Sequence, residues 1–250
     1  MRLDLYLVTQ LLTPTRSKAQ QLIKAGQVEV QKKGSWMVVK SSSFMIEPQT
    51  AVRLLNADVI RFVSRAGLKL QGALEAVELS IEGFDALDIG QSTGGFTDCL
   101  LQNGARQVVG VDVGCDQLDS KIKNHPNVVW FEKINARTLS DAQEMQSYLE
   151  KKFDLVVIDV SFISLEHILS QAYKFLSVGG HLVSLVKPQF ELGKKDLNKN
   201  GIVKDPEKYR LVESHVKQWA CECGFKVINY FASSIDGGDG NKEFFIYAEK

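Results

Sequence analysis

The spacing of apolar residues changes near residue 58 and predicts two structural parts. Beyond this point, short apolar runs suited to strands alternate with segments of helical periodicity. Strands are predicted at residues 86–89, 108–112, 128–131, 155–159 and 182–186, and helices at residues 64–80, 96–103, 116–123, 164–176 and 206–223. This alternation predicts an α/β fold with a mostly parallel, doubly wound sheet.

The last two strand-like segments predict a change of strand direction. Residues 227–232 and 244–248 are joined by a glycine-rich segment at residues 237–240. A connection of this kind permits a hairpin. We therefore expect the last strand to run antiparallel, so that one edge of the sheet runs backwards.

The first 60 residues have a different pattern, which predicts a small α+β module. Thr15 or Ser17 is a candidate N-cap for a helix that Gly26 ends. Short strands are predicted at residues 28–30, 38–39 and 44–46, with a turn at residues 32–35.

Charge is unevenly distributed along a chain of otherwise ordinary globular composition. Over 250 residues the formal net charge is zero, and 44% of the residues are hydrophobic. Residues 1–69 carry 11 Lys or Arg and 4 Asp or Glu, whereas residues 70–250 carry 19 and 26. A basic head on an acidic body predicts that the head binds a polyanion. The alternative is a solvated basic face without a partner.

Several protein classes do not fit the sequence. No apolar run approaches the roughly 18 to 20 residues of a membrane-spanning helix, and the first residues lack the pattern of a signal peptide. The 4 cysteines are scattered, with no C-x-x-C pair. We therefore expect reduced thiols, no metal site and a cytoplasmic protein without membrane association.

The strongest chemical signal is the glycine-rich segment at residues 88–98, which follows a predicted strand and opens a predicted helix. Glycines let the backbone approach a ligand there, and the helix start offers free N–H groups. The segment is neither a P-loop nor a strict G-x-G-x-x-G, which leaves NAD, FAD, nucleotides and S-adenosylmethionine open. Asp112, at the end of the next strand, is a candidate ribose ligand. Asn135 is a candidate adenine contact or a loop-capping residue.

Charged residues at strand ends form a second constellation. Asp159 and Lys187 end two predicted parallel strands, whose carboxyl ends share one edge of the sheet. An antiparallel last strand returns Lys242 and Glu243 to that edge, and Lys69 lies on the helix before the first strand. We predict that these charges converge on a functional site.

Several of these segments resemble a known family. Residues 88–98 resemble the D-x-G-x-S-T-G-G-F-T-D signature of methyltransferases related to the RNA ribose methyltransferase FtsJ. Further matches are SRAGLKL at 64–70, DVSFISL at 159–165, VKPQFE at 186–191 and GNKEF at 240–244, while residues 2–30 resemble an S4 RNA-binding module. Together they resemble the TlyA (haemolysin A) family of S4-coupled ribosomal RNA 2′-O-methyltransferases. Gln91 stands where we expect a small residue and Ala66 where we expect glycine, which puts cofactor affinity in question.

The resemblance implies a Rossmann-like class I methyltransferase sheet, S-adenosyl-L-methionine as cofactor and a catalytic tetrad. The implied domains are an S4 domain at residues 1–59, a linker at 60–63 and an FtsJ-like domain at 64–250. The tetrad is Lys69, Asp159, Lys187 and Glu243. Cofactor contacts are predicted at Asp88, Gly90, Ser92, Thr93, Gly94, Gly95, Phe96, Asp112, Val113 and Asn135, and RNA contacts at Arg2, Arg16, Lys18, Lys24 and Arg65.

A ribose 2′-hydroxyl is a poor nucleophile until its proton leaves, so the enzyme has to align the reacting atoms and help to remove that proton. We hypothesise that Lys187 is the base and that Lys69 steadies the developing alkoxide. Asp159 and Glu243 would then orient the lysines and the ribose.

The resemblance also implies a substrate, ribosomal RNA within ribosomal subunits or ribosomes, with a cytidine as the target. Because the chain starts at its S4 motif and ends soon after Glu243, like the shorter form of the family, we expect 23S rRNA in the large subunit. We expect a monomer. The alternatives are a non-catalytic S4-type RNA-binding factor, a pore-forming haemolysin, as the family name suggests, and a nicotinamide oxidoreductase.

Overall fold

The computed structural model describes residues 1–57, 60–237 and 240–250. The chain divides into two compact units, Met1–Arg65 and Ala66–Lys250. The predicted boundary at residue 59 and the centre of the predicted glycine-rich connection, residues 238–239, lie outside the described residues. In the described part of the chain, no helix is both long and apolar enough to cross a bilayer.

The first unit packs two helices against a small antiparallel sheet. Its elements are α1 (Leu3–Thr9), α2 (Arg16–Lys24), β1 (Val28–Lys32), β2 (Ser35–Val38) and β3 (Val52–Leu54), with strand order β2-β1-β3. Thr15 caps α2 by accepting a hydrogen bond from the Lys18 amide. Gly26 follows the helix with a φ of 70°, as the sequence predicts.

Two features of this unit differ from the sequence prediction. Helix α1 was not predicted, and the predicted strand at residues 44–46 is wrong. That segment makes only an isolated bridge between Met45 and Arg2, because its backbone hydrogen bonds go to Met1 and to Leu3, the first residue of α1. The third strand is instead β3, a run of three residues too short to show a period in the sequence.

The second unit is an α/β fold around one seven-stranded sheet. Its helices are α3 (Ala66–Ala76), α4 (Gly95–Gln102), α5 (Ser120–Lys123), α6 (Gln146–Lys151), α7 (Leu169–Phe175), α8 (Pro188–Glu191) and α9 (Glu207–Glu222). Its strands are β4 (Asp85–Ile89), β5 (Gln107–Val111), β6 (Val128–Phe131), β7 (Phe153–Ile158), β8 (Leu176–Val186), β9 (Lys226–Ala232) and β10 (Phe244–Glu249). Short 3₁₀ turns occupy Ala136–Asp141, Gln143–Met145, Leu165–His167 and Lys194–Asp196.

The sheet confirms the predicted mixture of strand directions. Strand order is β6-β5-β4-β7-β8-β10-β9, and the first five strands pair in parallel. Strand β10 runs antiparallel to both β8 and β9. The reversed strand therefore lies inside the sheet, between two neighbours, and the expectation of a reversed edge is wrong.

Two helices of this unit begin at a later residue than predicted. The predicted helix at 116–123 is helical only over α5, because Asp119 accepts a hydrogen bond from the Lys121 amide and Asp116 has a φ of 56°. The predicted helix at 164–176 breaks at Ile168 into a 3₁₀ turn and α7.

Central strand β7 is buried on both faces, as its apolar run indicates: residues 155–158 are all fully buried.

Candidate active site

Strand register places the predicted catalytic residues at one edge of the sheet. Ile89 pairs with Val111 and with Ile158, so Gly90, Asp112 and Asp159 follow three adjacent strands at the same level. Phe244, at the start of β10, pairs with Val186 at the end of β8. Glu243 and Lys187 are therefore neighbours at that edge although their strands run in opposite directions.

The four predicted catalytic side chains form two ion pairs. Lys187 Nζ lies 2.6 Å from Asp159 Oδ1 and also donates a hydrogen bond to Ser161 Oγ at 2.9 Å. Lys69 Nζ pairs with Glu243 Oε2. No side chain of the four is more than 16% exposed. Buried charges of this kind are tolerated when each is paired.

The segment before β10 leaves room for the Glu243 carboxylate because it carries glycine at position 237. A Cβ at Gly237 would overlap Glu243 Oε1. The Gly237 amide also donates a hydrogen bond to the Asn241 carbonyl at 2.9 Å. Gly237 was not predicted as part of the site, since its role depends on a contact that the sequence does not display.

A cavity of about 480 Å³ opens beside Asp159 at the same edge. This volume is within the usual range of small-molecule sites. Five of the ten predicted cofactor residues line it, namely Gly90, Ser92, Asp112, Val113 and Asn135. Gly90 has a φ of 89°, and a Cβ there would lie 2.5 Å from the Asp159 carbonyl oxygen. Only glycine fits between the cavity and the catalytic strand end.

The polar groups of the cavity are held in fixed orientations. The two Asp112 oxygens accept hydrogen bonds from the amides of Ser92 and Gly114, each at 2.7 Å. Each oxygen keeps a further lone pair for a ligand hydroxyl. Asn135 Oδ1 accepts from the Arg137 amide at 3.0 Å. Asn135 therefore caps the following turn while it also lines the cavity, and its contact with an adenine stays a prediction.

Comparison with known proteins shows which family the chain belongs to. A model of FtsJ-like methyltransferases matches residues 62–250, and a model of the S4 domain matches residues 1–52. The chain belongs to the FtsJ-like methyltransferase family. It is 38% identical over 244 residues to "Hemolysin A" of Brachyspira hyodysenteriae, with 98% of each chain covered. It is also 38% identical to "16S/23S rRNA (cytidine-2'-O)-methyltransferase TlyA" of Mycobacterium tuberculosis, with 98% of this chain and 88% of that protein covered.

A solved structure of a Streptococcus thermophilus protein classed as a hemolysin shares the fold. It is 40% identical, covers 100% of this chain and 88% of its own, and superposes with a TM-score of 0.75.

S-adenosylmethionine is the methyl donor of FtsJ-like enzymes, and the residues at the cavity suit it. The Asp112 carboxylate suits ribose hydroxyls, the Asn135 side chain suits an adenine edge, and the close backbone approach at Gly90 suits the part of the ligand near Asp159.

The other five predicted cofactor residues do not line the cavity, and Asp88 among them is buried. These residues are Asp88, Thr93, Gly94, Gly95 and Phe96. Asp88 is fully buried and accepts a hydrogen bond from Thr97 Oγ1 at 2.7 Å. Burial raises the pKa of Asp88 to about 7.

Gln91, which departs from the family pattern, is buried next to Thr97, as Asp88 is. Its Nε2 donates to Thr97 Oγ1 at 2.9 Å, and the side chain lies over Gly110, where any Cβ would overlap it. The larger side chain is thus accommodated by a glycine on β5. Gln91 does not line the cavity, so it acts on cofactor binding only through the shape of the loop.

Several residues of the site were missed by sequence reasoning. Phe162 is 89% exposed at the cavity, has a φ of 64°, and has its ring centroid 4.9 Å from that of Phe190. Gln117 also lines the cavity, where its Oε1 accepts from Ser92 Oγ at 3.2 Å. Ser161 contacts Lys187, as described above. The DVSFISL segment was noticed only as a motif, and the motif alone does not show which side chains face solvent.

The predicted RNA contacts of the S4 unit fall into two groups. Arg2 and Arg16 both form ion pairs with the buried Asp4, with N···O distances of 3.1 and 2.9 Å. Lys18 donates to the Phe62 carbonyl. By contrast, the side chains of Lys24 and Arg65 are exposed. The charges of Arg2 and Arg16 therefore have a structural function that their position in the sequence did not indicate.

Proposed function

We propose that this protein transfers the methyl group of S-adenosylmethionine to a ribose 2′-hydroxyl of ribosomal RNA. The observation that carries the proposal is the Lys187–Asp159 contact at the carboxyl edge of the sheet, where Asp159 lines the cavity that holds Asp112 and Asn135, together with the Lys69–Glu243 contact at the same edge. This arrangement supplies two lysine amines and two carboxylates at the edge where a methyl donor and a hydroxyl acceptor would meet.

The chemistry needs alignment and the removal of one proton. S-adenosylmethionine supplies an electrophilic methyl group on a sulfonium, whose carbon–sulfur bond breaks with its electron pair on sulfur. The 2′-oxygen forms the new bond to carbon, and its proton passes to Lys187 Nζ, which accepts it as the neutral amine and becomes the ammonium ion. Asp159 holds that nitrogen in place, while Lys69, paired with Glu243, stabilises the negative charge that develops on the oxygen. General-base assistance of this type contributes typically ~10²–10⁴-fold to the rate.

The proposed substrate follows from the S4 unit and from the named relatives. The Mycobacterium tuberculosis relative is named as a 16S/23S rRNA cytidine-2′-O-methyltransferase. We assign to this chain a cytidine of rRNA within a ribosomal subunit or ribosome, and 23S rRNA in preference to 16S. We further assign an S4 domain at residues 1–59, a linker at 60–63, a monomeric state and a cytoplasmic location.

The alternative functions are not favoured. A non-catalytic RNA-binding factor and a haemolysin leave the two buried ion pairs and the adjoining cavity without a role. A nicotinamide oxidoreductase accounts for the sheet and for Asp112, but it accounts neither for the Lys187–Asp159 pair nor for a basic S4 unit in the same chain.

The test is transfer of tritiated methyl groups from S-adenosylmethionine to undermethylated 50S subunits, 30S subunits and 70S ribosomes. We expect label in the RNA of 50S subunits with the wild-type protein and at least a 100-fold lower rate with Lys187→Ala. Calorimetric titration with S-adenosylhomocysteine controls for cofactor binding, which the variant should retain. Absence of transfer to all three substrates by a wild-type protein that binds the cofactor would refute the proposal.

A further inference from the structure

The hydroxyl of Ser161 occupies a position that the tetrad alone does not explain. Lys187 Nζ has two polar neighbours, the Asp159 carboxylate at 2.6 Å and Ser161 Oγ at 2.9 Å. Both neighbours come from the segment that follows β7, and both line the cavity. The lysine side chain itself is only 10% exposed, so its nitrogen is fixed by these two contacts at the inner end of the site.

We propose that Ser161 is a positioning residue for methyl transfer, whose hydroxyl directs the Lys187 amine toward the 2′-hydroxyl of the substrate. This inference rests on the proposed function. As the reaction proceeds, the O2′–methyl bond forms, the methyl–sulfur bond breaks with its electrons on sulfur, and the O2′ proton moves to Lys187 Nζ. The amine needs a lone pair aimed at that proton, which requires its N–H groups to be held elsewhere.

A hydroxyl suits this task in a way that a second carboxylate would not. A neutral amine has two N–H groups and one lone pair. With one N–H donated to Ser161 Oγ and the nitrogen 2.6 Å from Asp159 Oδ1, the lone pair is left for the substrate. A hydroxyl both accepts and donates hydrogen bonds, so Ser161 partners the nitrogen before and after it gains the proton. It therefore fixes the geometry without adding a second negative charge that would favour the protonated form.

The surrounding charges are unchanged when Ser161 is substituted. Asp159 remains on Lys187, and the Lys69–Glu243 pair remains at the same edge of the sheet. Ser161 is exposed and its φ is negative, because it is not among the residues with positive φ. Replacement by Ala removes the hydroxyl alone, and replacement by Thr restores it.

The matched control is a second hydroxyl on the same segment. Ser164 donates a hydrogen bond to Glu191 at 2.5 Å, and the Leu165 amide donates to the same carboxylate at 3.1 Å. Ser164→Ala therefore loosens the segment without removing a partner of Lys187. A general disturbance of the loop should affect Ser161→Ala and Ser164→Ala alike, whereas the proposed role distinguishes them.

The experiment measures methyl transfer to the accepted ribosomal substrate as a function of pH for wild type and for Ser161→Ala, Ser161→Thr and Ser164→Ala. Hydrogen bonds to charged groups and the transition-state relation predict that Ser161→Ala lowers kcat about 10-fold or more with KM for RNA unchanged. The midpoint of its pH–rate profile should move to lower pH, because the protonated amine loses an acceptor. Ser161→Thr should recover both properties, and Ser164→Ala should keep the wild-type midpoint.

A second readout is independent of catalysis. Nitrogen-15 NMR follows the titration of Lys187 Nζ in the free protein, with the signal assigned from Lys187→Arg. The titration midpoint should differ between wild type and Ser161→Ala and agree between wild type and Ser161→Thr. Wild-type kcat and an unmoved titration in Ser161→Ala would overturn the inference. If the wild-type protein transfers no methyl group, the proposed function fails, and the NMR titration still decides whether the hydroxyl acts on the amine.

Discussion

Substitution of Asp4 by Asn provides a sharp test of what holds the S4 unit together. Asp4 is fully buried in α1 and accepts hydrogen bonds from Arg2 at 3.1 Å, from Arg16 at 2.9 Å and from Gln20 at 2.9 Å. The amide of Asn keeps the shape of the side chain but removes its charge and one acceptor oxygen. Asp4→Asn should therefore destabilise the packing of α1 against α2 with little change in volume.

The magnitude follows from the exposure of the partners. Hydrogen bonds to a charged group contribute about 1.5–3 kcal/mol each. The side chains of Arg2 and Arg16 are 40% and 49% exposed, so water compensates part of the loss at both guanidinium groups. We expect the free energy of unfolding of this unit to fall by about 2–3 kcal/mol. A unit of this size has only ~3–10 kcal/mol in total.

The pH dependence gives a second signature. The hydrogen bond from the Arg2 guanidinium holds the pKa of Asp4 well below its usual range. The stabilisation is therefore fully present above the ordinary carboxyl pKa of about 4 and is lost as the pH falls through the depressed value. Asn does not titrate, so the variant should lack this part of the acid sensitivity.

The assay is denaturant-dependent hydrogen exchange of the full-length protein, read by mass spectrometry in peptides that cover α1 and β1, from neutral pH to pH about 2.5. Lys24→Ala, which removes an exposed cation from α2, is the control and should leave exchange unchanged. Equal protection of α1 in wild type and Asp4→Asn at neutral pH, or equal loss of protection in acid, would refute the structural role of Asp4.

Three further predictions concern Gly90, the buried Asp88, and Phe162 at the cavity. Gly90→Ala should weaken binding of S-adenosylhomocysteine by about 10-fold or more in calorimetry, because its Cβ would lie 2.5 Å from the Asp159 carbonyl; Gly179→Ala, at a φ of 77° with open space around it, should not. Because burial raises the pKa of Asp88 to about 7, wild type should lose stability as pH rises from about 4 to 7, and Asp88→Asn should show a flatter dependence of Tm on pH; identical curves would contradict this. Phe162→Ala should lower kcat/KM for RNA about 10-fold at saturating cofactor, as expected for the loss of one base–aromatic stacking contact; an unaltered RNA dependence would exclude stacking on this ring.

The strand segments of the large sheet and the edge that carries the site could be predicted because each depends on local patterns. Apolar runs marked the strands of the large sheet, and residues at the ends of parallel strands necessarily share an edge. Residue 244 pairs with residue 186, and this register brings Glu243 to Lys187, as a reversed strand requires. The position of this strand inside the sheet could not be predicted, because a hairpin pattern does not show which of its two strands pairs with β8.

Contacts between residues that are far apart in the chain could not be predicted from the sequence. Arg2 and Arg16 were interpreted by charge alone, whereas their common partner Asp4 became visible only when α1 and α2 packed together. Gln91 was interpreted only as a departure from the family pattern, whereas the structure shows that the absence of a side chain on Gly110 leaves room for it. Ser161 and Phe162 belong to the DVSFISL motif, but the motif does not show which of its side chains face the site. Their importance depends on the direction in which a short irregular segment presents them.

The most direct test of the central claim is the chemical identity of the methylated product. RNA from undermethylated 50S subunits, treated with the protein and S-adenosylmethionine, would be digested to nucleosides and analysed by mass spectrometry, with Lys187→Ala as the parallel sample. The account predicts 2′-O-methylcytidine in the wild-type sample and a level near background in the variant sample. A methyl group on a base, or equal amounts of product with Lys187→Ala, would contradict the assignment of this edge of the sheet as a ribose methyltransferase site.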